Sequence, residues 1–256
     1  MLETIREYAL ERLDESGEAG ELGRRHAEYF LELVEAAEPR LRQGSKEVLD
    51  VVEREHDNIR AALELFEASG ELELALRLAG STAEVWYHRG HVAEGRRRLE
   101  SLLRNDERPT AARGKALNAA SRLAVVAGAV PLARRRAEEG LALNRQLGNE
   151  LGTADSLWRL SYAVAAGSDF ARSQELLDEC IPVYGELGEE HAAIEAVRDL
   201  AWTYEEVGDL PRARALYEDG LRRARALADK RLEARLLGGL AVVASTRDGP
   251  RTRACC

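Results

Sequence analysis

Three consecutive segments of this chain, 111–148, 151–188 and 191–228, match one another at a spacing of 40 residues. A fixed period of that length restricts the chain to folds built by stacking one repeated unit. Small residues return at Ser121, Ser161, Ala201 and Ala241, at Ala133, Ser173 and Ala213, and at Gly140, Cys180 and Gly220. Large apolar residues return at Leu117, Leu157, Val197 and Leu237, at Leu141, Ile181 and Leu221, and at Leu147, Leu187 and Leu227. Each repeat reads as a helical hairpin. Pro131 and Pro211 stand where a second helix begins, a place that tolerates proline. Gly128, Gly167 and Gly208 are expected to close the first helices, and Gly148 and Gly188 the second. A looser copy over 72–103 carries Ala83, Gly95, Leu99 and Leu103 in register at a spacing of 38.

Residues 1–70 are helical in pattern but follow no such period; Ile5, Ala9 and Leu13, then Tyr29, Phe30, Leu33 and Val34, mark amphipathic helices. The expected organisation is an N-terminal helical cap or linker over 1–70, a repeat array over 71–248 and a disordered tail over 249–256.

The chain's 45% hydrophobic and 32% charged residues suit a continuous core with a charged exterior, and a formal net charge of -9 discourages direct contact with nucleic acid. The arginine runs 96–98, 134–136 and 222–225 fall at related places in second helices and read as solvated faces. Cys180 occupies a small buried position and Cys255 and Cys256 end the chain, which is no disulfide framework. No apolar run is long enough to enter a membrane, and the expected location is the cytoplasm. No catalytic constellation is found. His88 and His91 straddle Gly90, a helix end that breaks the one-face geometry of a helical metal pair, and His26 and His56 read as solvated or packing residues. The expectation is therefore no catalytic residue, no cofactor and no metal.

Two-helix units with small residues at fixed contact points resemble the tetratricopeptide repeat in a lengthened form. The strings LETIREYALERL (2–13), RRHAEYF (24–30), EHDNIRAAL (55–63) and WYHRGHVAEGRRRLE (86–100) resemble the region between the ATPase core and the repeats of STAND-class bacterial transcription regulators of the LuxR and SARP types. The resemblance implies an all-α, right-handed superhelical solenoid of antiparallel helix hairpins. It also implies that the chain is the arm that senses an inducer or holds a regulator inactive. The family's ATPase activity does not carry over, because the phosphate-binding pattern G-x-x-x-x-G-K-[ST] is absent: around Gly114-Lys115, Pro109 and Ala116 replace the required residues. A helix-turn-helix reader is likewise not recognisable.

In such solenoids the first helices line a concave groove, which here would present Lys115, Asn118, Arg122, Trp158, Tyr162, Arg198, Trp202 and Arg235, with Asp155 and Glu195 on the same face. Lys115, Asn118 and Arg122 share one helical face and suit a peptide carboxylate or an anionic inducer; ordinary solvated surface is the competing reading. Trp158, Tyr162 and Trp202 suit flat apolar contacts with a polar edge, and packing against a neighbouring helix is their default. Expected partners are a protein or peptide, or a small inducer, with no nucleic acid and no membrane. After the first-helix pattern 232–244 no second helix follows, so Leu236, Leu237, Leu240 and Val243 are expected to keep an apolar face where a second copy could dock. The function so read is a non-catalytic recognition module, the sensor or scaffold arm of a regulator; the alternative is a free-standing adaptor that binds a peptide or protein helix.

Overall fold

A computed structural model describes residue 12 and residues 17–245. Among the described residues there are twelve helices and no strand. No described helix is long and apolar enough to cross a membrane. The chain divides into two compact units at Arg108/Pro109.

The first unit holds α1 (Ala19–Arg42), α2 (Lys46–Arg54), α3 (His56–Ala68), α4 (Leu72–Arg89) and α5 (Val92–Asn105). The long α1 packs on α3 and α4, and α4 pairs with α5, so the looser hairpin 72–105 shares a core with the helices before it. Phe30, Val34, Leu41, Phe66, Leu76 and Trp86 are buried in this unit. The amphipathic reading of α1 needs one correction. Tyr29 is 59% exposed, and Leu31 supplies the buried apolar residue beside Phe30, because a helix turning 100° per residue places positions 27, 30, 31 and 34 on one face. Ile5, Ala9 and Leu13 lie outside the described residues.

The second unit consists of α6 (Ala111–Val126), α7 (Val130–Gln146), α8 (Glu150–Ala166), α9 (Phe170–Glu186), α10 (Glu190–Glu206), α11 (Leu210–Ala226) and α12 (Lys230–Ser245). Each helix packs on the next, and α6 also meets α8 as α10 meets α12. This is a stack of antiparallel hairpins. Side-chain oxygens cap helix starts at Thr110, Asn149, Asp169 and Asp209, each accepting a backbone N–H three residues on. Pro131 and Pro211 occupy the first helical turns of α7 and α11, as the sequence predicts.

The small periodic residues form the hairpin contacts. Ser121, Ser161 and Ala201 and their partners Ala133, Ser173 and Ala213 are all buried to 2% exposure or less. Ser121 Oγ donates to the Ala133 carbonyl at 2.8 Å, which shows the two backbones nearly touching. Of the three large apolar series, the set ending in Leu237 is core through Val197, and Leu237 itself is exposed on the last helix. Leu147, Leu187 and Leu227, by contrast, are at least 38% exposed. They are the C-cap residues of α7, α9 and α11, where the chain leaves its helix, so periodicity there reflects the turn and not burial.

The turns correct one further expectation. The left-handed residue after the first helices is at 128, 168 and 208, and after the second helices at 148, 188 and 228. Gly167 is thus only the C-cap of α8, while Ser168 adopts φ 67°, and in the other series Ala228 adopts φ 55°. A side chain costs about 1–2 kcal/mol in that region, partly offset by the entropy glycine loses on folding. Ser168→Gly and Ala228→Gly are each expected to stabilise the chain by about 0.5–1 kcal/mol. Urea denaturation followed by circular dichroism checks this, and a loss of stability in either variant would contradict the turn assignment.

Candidate functional site

The groove residues named from the sequence fall on α6, α8, α10 and α12, and the structure divides them by role. Asn118 is buried and spans helices: it accepts from Ser156 Oγ at 2.8 Å, and its amide donates to the Gly152 carbonyl at 3.3 Å. Asn144 donates to the same serine at 3.1 Å and accepts from Asn149 at 3.0 Å. Glycines make room for these amides: a Cβ at Gly114 would stand 2.5 Å from Asn144 Oδ1, and one at Gly140 2.8 Å from Asn118 Oδ1. Asn118 is thus a member of a buried polar seam joining α6, α7 and α8. Lys115 and Arg122, on the same helix, are half-buried.

Trp158, Tyr162, Arg198 and Arg235 converge around two buried carboxylates of α10, Glu195 and Asp199, each 5% exposed. Trp158 Nε1 donates to Asp199 Oδ2 at 2.8 Å, and Arg198 is bonded to Asp199 Oδ1 and to the Tyr162 hydroxyl at 3.2 Å. Glu195 is approached from three sides: by Arg198 Nε at 3.1 Å, by Arg231 Nη2 at 3.5 Å and by Arg235 Nη1. Three guanidiniums therefore share two carboxylates. The Arg231 Nε donor is buried with no acceptor. Trp158 also meets the Tyr184 ring edge-on at 6.0 Å and lies under the Arg159 guanidinium at 4.6 Å. Trp202 sits apart from this cluster, edge-on to Phe170 at 5.9 Å and donating to Glu206 at 3.1 Å.

The electrostatics follow from burial. Burial raises the Tyr162 phenol well above its ordinary value, and the Asp199 charge adds to the effect. Burial alone would depress Arg198, but the Asp199 and Glu195 charges hold it fully charged. Burial likewise raises the Cys180 thiol, which leaves an inert small packing residue, in line with its repeat position. His191, at the start of α10, stands 3.3 Å from Asp229, and burial lowers its pKa despite the Glu195 and Asp229 charges.

Sequence reasoning missed Asp199 and Arg231. Their signal was present only as ionisable residues on the inner faces of first helices, a pattern that surface charge also produces. The arginine runs on second helices are paired along their own faces, Arg134 with Glu138 at 2.8 Å and Arg222 with Asp219 at 2.5 Å, or to a first helix, as in Arg223 with Glu190 at 2.7 Å. The expected apolar end face is narrower than its sequence suggests. Leu236 and Val243 are buried against α11 residues such as Tyr217 and Leu221, Leu240 is half-buried, and Leu237 alone of the four is exposed.

The sequence is similar to part of two longer proteins whose names describe transcriptional regulators. A chain of Mycobacterium tuberculosis and its counterpart in Mycobacterium bovis, both named as HTH-type transcriptional regulators, are 32% identical to it over 159 residues. That match takes in 58% of this chain and 18% of the relatives' length. No family model matches the chain. Among solved structures, a STAND protein with a tetratricopeptide repeat sensor from Pyrococcus horikoshii superimposes with a TM-score of 0.60 at 12% identity, over 94% of this chain and 38% of that one. A Rap protein complexed with competence and sporulation factor gives 0.59 at 15% identity, over 77% and 61%. The fold is a tetratricopeptide-like helical repeat, all-α throughout the described residues.

The His191 environment fixes a pH dependence. Its folded pKa lies below the ordinary 6.5, so the unfolded chain binds the proton more readily. The stability from a neutral His191 is complete above about 6.5 and is lost as pH falls from there toward the lower folded value. His191→Gln is expected to flatten the fall in melting temperature below pH 6.5 measured for the wild type; an unchanged slope would place the titration elsewhere.

Proposed function

We propose that this chain is a non-catalytic recognition module, the sensor or scaffold arm of a bacterial transcription regulator, which takes an acidic segment of a protein or peptide on the inner face of α8, α10 and α12. The observation that carries the reading is a cluster where three arginines share two carboxylates and where the Nε atoms of Arg198 and Arg231 are buried with no hydrogen-bond acceptor. A buried donor without a partner costs about 1–3 kcal/mol, and an incoming carboxylate would remove that cost. Arg231 and Arg235 keep 36% of their side chains exposed, so an anion can reach them without unfolding a helix.

The rest of the face supplies contact area. Trp158, Tyr162 and Trp202 are half-buried and present polar edges, the composition found at interface anchors. Lys115 and Arg122, half-buried on α6, extend the cationic character to another first helix. Asn118 is not a contact in this reading, since its hydrogen-bonding capacity is used between helices. The relatives named as HTH-type regulators support the regulatory setting, and a free-standing adaptor would use the same face. Residues 1–70 would then be the linker toward an ATPase core, and the exposed Leu237 the place where a further repeat or a second copy docks.

Peptide-display selection against the wild-type chain and an Arg231→Ala, Arg235→Ala variant tests this. The expected outcome is a set of wild-type binders carrying Asp or Glu that lose affinity about tenfold or more on the variant, with circular dichroism showing both chains folded. Binders that ignore the two substitutions, or that carry no acidic residue, would overturn it.

A further inference from the structure

A second cluster of chemically capable side chains lies within the first unit. Glu53, at the end of α2, His56, at the start of α3, and His91, the N-cap of α5, bring one ligand atom each to within 4.8 Å of one another. The two imidazoles are stacked, with centroids 4.2 Å apart and planes 15° from parallel. His91 Nε2 is 2.9 Å from Glu53 Oε1, and His56 Nε2 is 3.3 Å from Glu94 Oε2. Two polar atoms of the cluster are buried without any hydrogen-bond partner: His56 Nδ1 and Glu53 Oε2.

We propose that Glu53, His56 and His91 form a zinc site that clamps the α2/α3 joint to the α4/α5 turn. Two imidazoles and a carboxylate are the donor set zinc accepts, with a fourth position left for water or a partner's side chain. The orphaned atoms are the evidence that the cluster is built for an occupant. A native fold rarely leaves a buried imidazole nitrogen and a buried carboxylate oxygen unpaired within one small cluster. With Nε2 donating to Glu94, the His56 Nδ1 lone pair is available for coordination, the carboxylate-behind-histidine arrangement that orients metal ligands. The nearby Arg60 guanidinium stands 3.4 Å from His56 Nε2, which by itself would repel a cation. Its charge is spent on Glu94, which it grips through two bonds of 2.8 and 2.7 Å.

The sequence reading paired His91 with His88 and rejected a metal on helical geometry. His88 belongs to a different contact, 3.7 Å from Glu84 on its own helix. The spacing of 35 residues between His56 and His91 matches no short metal motif, so only the fold reveals the pair.

The test is zinc titration by calorimetry on the full chain carrying Cys255→Ser and Cys256→Ser, which removes terminal thiols that bind zinc on their own. Cobalt is then substituted to read the visible absorption of a low-symmetry site. The expected result is one zinc per chain and a rise in melting temperature. His91→Gln and His56→Gln should abolish both the zinc effect and the cobalt band, Glu94→Gln should weaken binding about tenfold, and His88→Gln should leave it unchanged. Circular dichroism confirms that each variant is folded. No zinc binding by the folded parent, or equal binding by the His56 and His91 variants, would overturn the proposal. So would loss of binding in His88→Gln alone.

Discussion

Everything in the second unit depends on how closely paired helices can approach at Ser121/Ala133, Ser161/Ser173 and Ala201/Ala213. With side chains no larger than a hydroxymethyl at those points, the backbones come near enough for Ser121 Oγ to bond a carbonyl of the facing helix. Close approach then fixes where the neighbouring large residues go. Leu157, Leu160, Leu176 and Leu177 fill one inter-helix layer, and Ile194, Tyr217, Leu221 and Leu236 the next. Interiors packed at crystal-like density do not absorb an extra methylene without a shift, so the small positions set the geometry of the whole stack.

On that frame the unit carries an unusual amount of buried polarity. Asn118, Asn144 and Ser156 bridge one pair of hairpins, and Glu195 and Asp199 gather arginines at another. Amides bonded across helices stabilise a single register of the stack, since slipping one helix would leave them unpaired. The carboxylate cluster differs in kind. Three guanidiniums share two carboxylates there, and Arg198 Nε, Arg231 Nε and Glu195 Oε2 are buried without a hydrogen-bond partner, which sets it apart from the amide seam. The same contrast separates the Glu53–His56–His91 cluster from the ion pair beside it, Arg60 with Glu94 at 2.7 Å.

Much of the fold could be read from the sequence because repetition shows which positions tolerate no change of size. Ser161 and Ala213 were identifiable as contacts from spacing alone. The period was less informative about direction. Leu147, Leu187 and Leu227 repeat as faithfully as any core residue yet sit at helix ends in solvent, and Ser168, not Gly167, makes the left-handed turn. The residues of the proposed site were visible in the sequence as residue types on the first helices of the repeats. Asn118 left that set because burial and the space left by Gly140 drew it into the interior, while Asp199 and Arg231 entered it because tertiary packing brings α8, α10 and α12 side chains together. His56 and His91 were beyond reach, since nothing in the sequence says that positions 35 apart share a contact.

The claim that close contact at small residues governs the stack is tested most directly by urea unfolding of Ala201→Leu beside Ala215→Leu. Ala201 is fully buried facing Ala213, and Ala215 lies exposed in the same repeat. Ala201→Leu should lose about 2 kcal/mol or more by overpacking, while Ala215→Leu should change stability by less than about 0.5 kcal/mol. Equal stability of the two variants would mean that the helices are not held where the small residues place them.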